Sequence, residues 1–108
     1  MCWKLVRDKL AEELKSRGVI VWRARDRGEY ERALRAKIVE EAFELAASKG
    51  SEELLEEAAD ILEALSALLK LHGYRLEDAL ERARSKREER GGFDGGYIAL
   101  FDCGSGVE

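Results

Sequence analysis

Between residues 29 and 71 the chain keeps a helical period and breaks it once, at Lys49-Gly50-Ser51. Tyr30, Leu34, Ile38, Ala42 and Leu45 return to one face before the break. Leu54, Ala58, Ile61, Leu65 and Leu68 do the same after it. Gly50 is a stop signal for the first helix, and Ser51 is a good N-cap for the second. The sequence contains no proline to kink either helix. A connection this short makes two helices antiparallel neighbours, so this stretch commits the chain to a helical hairpin.

The flanks extend that reading. Residues 4–17 are expected to form a helix with Leu5, Leu10 and Leu14 on one side and Gly18 as its stop. Residues 76–90 are expected to form another, ending at Gly91-Gly92. Val19 to Trp22 and Tyr97 to Phe101 favour β structure, and each is too short to stand alone. Pairing them would satisfy both. The expected architecture is mostly α, an antiparallel bundle of about four helices with a minor two-stranded β ribbon, in a single domain over residues 1–108.

Hydrophobic residues make up 45% of the chain and charged residues 39%, a mix that suits a folded helical domain and not a disordered one. A single copy of 108 residues buries a modest core, which leads to the expectation of a homo-oligomer, dimeric or larger. A net charge of −4 argues against a general nucleic-acid binder. No apolar run approaches the roughly 20 residues that span a bilayer, and the N-terminus lacks the apolar core of a signal peptide. A cytoplasmic location is expected, without membrane contact. Cys2 and Cys103 form neither a disulfide framework nor a zinc-ligand set and read as two reduced thiols; a disulfide clasping the termini is the alternative in a hyperthermophile.

The hairpin carries an oddity. Glu41 and Glu44 are helical neighbours at i and i+3, as are Glu57 and Asp60. Counted outward from the Gly50-Ser51 turn, Glu44 stands level with Glu57 and Glu41 with Asp60. Glu41 falls on the inward line between Ile38 and Leu45, and Glu57 between Leu54 and Ile61. Carboxylates this close and partly shielded from water repel one another and lose hydration. A bound cation resolves that conflict, and all-carboxylate ligation suits a hard ion, magnesium or manganese. A di-iron bundle would want Glu-x-x-His pairs, and the only histidine, His72, lies outside both pairs, at a helix end. Glu40 reads as surface, and Glu63, one turn beyond Asp60, as either a carboxylate supporting the set from behind or plain surface.

The segments "EEAFE" (Glu40–Glu44) and "EAAD" (Glu57–Asp60) resemble the EExxE…ExxD signature of the MazG-type all-α nucleoside triphosphate pyrophosphohydrolases. The flanks are similar to the small phosphoribosyl-ATP pyrophosphohydrolase-like house-cleaning branch: "KLVRDKLAE" over Lys4–Glu12, Tyr30 and Leu34 ahead of "KIVEE", and "KREERGGF" over Lys86–Phe93. The resemblance covers nearly the whole chain. It departs at Ala11, where the family has proline, and at the tail "FDCGSGVE", which matches nothing in the pattern. It implies the all-α pyrophosphatase-like fold and magnesium-dependent cleavage of a nucleoside triphosphate between the α and β phosphates. The ligands it implies are Glu41, Glu44, Glu57 and Asp60.

Four carboxylates repel a triphosphate unless cations intervene. Glu41 or Glu44 is expected to orient the attacking water or take its proton. Lys37, Lys86 and Arg90 are the expected phosphate-binding residues, with Arg82, Arg7 and Lys9 as further candidates. Trp3, Trp22, Tyr30, Phe43 and Phe93 are the aromatic side chains available for a base, and the sequence selects none of them. Two other functions remain open: phosphoribosyl-ATP hydrolysis at the same metal site, and a non-catalytic helical oligomer or regulatory partner.

Overall fold

A computed structural model describes residues 2–102. Four helices make up the regular structure among them: α1 (Asp8–Ser16), α2 (Arg27–Ala46), α3 (Ser51–Leu71) and α4 (Leu76–Arg90). The chain divides into two units, Met1–Leu76 and Glu77–Glu108.

In the first unit α2 and α3 pack against each other as an antiparallel hairpin. α2 begins where Asp26 caps it, the aspartate side chain accepting from the Glu29 amide at 2.8 Å. Its end and the start of α3 are separated by residues 47–50. Ser51, expected as the N-cap of α3, is its first helical residue instead. Gly50 takes the cap position at φ 119°, ψ 160°, and its carbonyl receives the Leu54 amide at 3.1 Å. That backbone region belongs to glycine, so glycine and not the serine hydroxyl sets the turn.

The buried apolar side chains are few: Ala33 and Leu34 on α2 and Ala64 on α3. Tyr30, Ile38 and Leu45 lie half-buried on the same side of α2, and Ala58, Ile61, Leu65 and Leu68 on α3. Ala42, expected on the inward line, is exposed, and Glu41 occupies that place. Val39 and Phe43 on α2 stand in the open, Phe43 at 73% exposure, as do Leu55 and Leu62 on α3. Ile38, Val39, Ala42, Phe43 and Ala46 line a shallow apolar groove along α2.

α1 starts four residues later than expected. Residues 4–7 are irregular, and Arg7 caps α1 in an extended conformation at φ −65°, ψ 150°. Asp8 opens the helix with the acidic charge its N-terminus favours, and Gly18, at φ 84°, follows its last turn.

The second unit carries the remainder of α4 and the segment after it. α4 ends at Gly91, whose amide donates to the Arg87 carbonyl at 2.8 Å. Its side chains from Glu81 to Arg90 are all exposed. The expected β ribbon is not formed among the described residues: 19–22 and 97–101 are both irregular. Ile98 and Leu100 are almost wholly exposed, so a local preference for extended backbone found no partner strand. Cys2 is exposed with a free thiol, and Cys103 lies outside the described residues. No helix among the described residues is long and apolar enough to cross a membrane.

Candidate metal centre

The hairpin gathers its carboxylates in two overlapping sets. Glu40, Glu41 and Glu44 of α2 form one, and Glu41, Glu57 and Asp60 form the other across the two helices, with one oxygen from each residue within 4.8 Å of the others. Glu41 is common to both. Helical spacing puts each pair on one face, and the turn at Gly50 sets α3 against α2 so that the pairs meet.

The environments differ. Glu41 is 4% exposed, Glu57 and Asp60 are half-buried, and Glu44 is exposed. The Oε2 atoms of Glu41 and Glu57 are buried without a hydrogen-bond partner. Buried polar atoms are nearly always paired, and a buried carboxylate oxygen left alone is costly. The Glu57 carboxyl is pushed up to about 7, first by lost hydration and then by the Glu41 and Glu44 carboxyls beside it. Two orphaned oxygens in an all-carboxylate set match what a hard divalent cation coordinates. The residues present therefore fit magnesium or manganese.

Three cations border the set. Lys37 Nζ lies 3.0 Å from Glu41 Oε1 and 3.8 Å from Glu40 Oε1. Lys4 Nζ donates to the same Glu40 oxygen at 3.1 Å. Arg7 Nη2 donates to Asp60 Oδ1 at 2.7 Å, and this bond, with the nearby Asp60 and Glu63 charges, holds the guanidinium proton more firmly than usual. Each of these contacts uses one carboxylate oxygen. Glu41 keeps its buried Oε2 free of protein partners.

Of the expected phosphate-binding residues and further candidates, the structure sets Lys37 and Arg7 beside the acidic set. Lys86 and Arg90 stand exposed on α4 in the second unit, as does Arg82. Lys9 is exposed on α1. Glu40, read as surface, belongs to one acidic set and pairs with Lys4, a residue the sequence did not single out. Helical periodicity placed residues 4–7 in a helix, and that hid the reach of Lys4 toward the hairpin. Among the aromatic residues, Trp22 donates through Nε1 to Glu29 Oε1 at 3.2 Å and lies 5.8 Å beneath the Arg25 guanidinium. His72 follows the end of α3, with Nε2 3.0 Å from Glu31 Oε1.

No family model, curated protein or solved structure matches the chain.

Proposed function

We propose that the protein is a magnesium-dependent nucleoside triphosphate pyrophosphohydrolase, cleaving between the α and β phosphates to release a nucleoside monophosphate and pyrophosphate. The observation that carries this reading is the pair of buried, unpartnered oxygens on Glu41 and Glu57 inside the acidic set. The resemblance of the EExxE…ExxD segments to the MazG-type enzymes supports it.

Glu41, Glu44, Glu57 and Asp60 would hold the ion. Magnesium or manganese held there would offset the charge of the phosphates and supply Lewis-acid activation of the attacking water. Glu44, the exposed member of the set, orients the attacking water or accepts its proton, with Glu41 beside it. The water oxygen bonds to the α phosphorus while the bond to the bridging oxygen breaks, and pyrophosphate leaves. Lys37, 3.0 Å from Glu41, takes part of the negative charge. The natural setting is cytoplasmic clearance of free, non-standard nucleotides. The open apolar side of α2, around Val39 and Phe43, is assigned to a second copy of the chain in a helical bundle.

The test is pyrophosphate release from a broad nucleotide panel, with phosphoribosyl-ATP included, in the presence of magnesium and of chelator. Turnover that needs magnesium and disappears in Glu41→Gln and Glu57→Gln is expected. Metal-independent turnover, or full activity in either variant, overturns the assignment.

A further inference from the structure

The first residues of the chain touch the acidic set at two opposite edges. Lys4 reaches Glu40 on α2 at 3.1 Å, and Arg7 reaches Asp60 on α3 at 2.7 Å. Extended backbone covers about 3.3 Å per residue, so three residues bridge two packed helices whose axes lie about 8–10 Å apart. Residues 4–7 thus cross the hairpin beside the acidic set, with a cation at each end.

Neither cation is used up by its carboxylate. The Lys4 and Arg7 side chains are 60% and 59% exposed. Arg7 spends one Nη on Asp60, and a guanidinium has five N–H donors in a planar fork. Exposed ion pairs of this kind hold weakly, by about 0.2–1 kcal/mol, so both side chains turn readily toward a stronger acceptor. A phosphate chain is such an acceptor, because arginine binds its oxygens in pairs. The arrangement answers an electrostatic problem: a polyanion approaching Glu40, Glu44 and Asp60 needs cations on the rim as well as in the centre.

We propose that residues 4–7 form one wall of the triphosphate site, with Arg7 and Lys4 binding the phosphate chain of a metal-bound triphosphate. This rests on the metal reading of Glu41, Glu44, Glu57 and Asp60 and adds to it two cations at the rim that hold the phosphate chain.

The experiment separates the two ideas. Binding of Mn²⁺ alone is measured first, by electron paramagnetic resonance, on the full chain and on Arg7→Gln, Lys4→Gln and Lys15→Gln. Binding of inorganic tripolyphosphate to the Mn²⁺-saturated proteins is then measured by calorimetry, with helical content checked by circular dichroism. Arg7→Gln is expected to keep its Mn²⁺ affinity within about threefold while tripolyphosphate binds about tenfold more weakly. Lys4→Gln should follow with a smaller loss and Arg7→Lys should recover part of it. Lys15→Gln, with the same charge change at the far end of α1, should match the unaltered chain. Tripolyphosphate binding undiminished in Arg7→Gln overturns this inference and leaves the metal centre standing. Loss of Mn²⁺ and tripolyphosphate together in Arg7→Gln also overturns it, since Arg7 then only holds Asp60 in place. An unaltered chain that binds no Mn²⁺ brings down the metal reading and this inference with it.

Discussion

At the scale of single residues, Glu57 is the most informative group. Its folded carboxyl titrates at about 7 against an ordinary value of 4.5. The folded protein therefore holds a proton that the unfolded chain has lost between those values, and the stability this contributes is complete below about 4.5 and gone once the pH passes about 7. Metal-free protein should melt at progressively lower temperature as the pH rises across that window, and Glu57→Gln should flatten the profile. A melting curve for Glu57→Gln that falls as steeply as that of the unaltered chain would contradict the assignment. Replacing Glu41 with Gln should leave the metal-free fold as stable or more so, because it removes one member of a repelling set, while Mn²⁺ binding drops by at least tenfold; isothermal titration and thermal melting on the same sample test both halves. These four carboxylates were legible in the sequence because helical period and a short turn fix their levels without any long-range information. Arg7 was legible only as a cation of the N-terminal motif, and Lys4 was not, because an irregular segment has no period to read and its course is set by carboxylates more than 30 residues away.

At the scale of elements, the turn at Gly50 controls the meeting of α2 and α3. A φ of 119° is open to glycine and strained for any other residue. A Cβ at Gly50 would meet no atom within 4 Å, so Gly50→Ala isolates backbone strain from crowding. It should lower stability by about 1–3 kcal/mol, read from urea denaturation. Asp26→Ala, which removes the cap on α2, should lower it by about 1 kcal/mol in the same assay. The helices themselves were legible, α3 and α4 nearly to the residue, while α1 begins four residues later than its period indicates and α2 ends before Lys49. The β ribbon was not, since the preference of Val19–Trp22 or Tyr97–Phe101 for extended backbone is local, while pairing depends on a partner elsewhere in the chain.

At the scale of the whole molecule, the balance of buried and open apolar surface points to self-association. Leu34 is the only large side chain fully buried among the described residues, while Phe43, Val39, Leu55 and Leu62 remain open on the hairpin. Folded monomers seldom leave so much of a helix pair uncovered. Light scattering behind size exclusion should give a mass of at least two chains, and Phe43→Asp should shift the population toward one chain and lower the melting temperature. A monomeric unaltered protein at micromolar concentration would remove the second copy from the proposal.

The two contacts that tie residues 4–7 to the hairpin lie on the outside of the molecule, at Glu40 and Asp60. Attraction between exposed charges is screened within about 10 Å at 0.1 M salt and about 3 Å at 1 M. The two ion pairs therefore weaken with ionic strength, whereas the α2–α3 packing and the half-buried Leu5 and Val6 between the pairs do not depend on it. Concentrated salt should loosen the charged ends of the segment first, and Trp3, which precedes Lys4, should report it by a change in fluorescence.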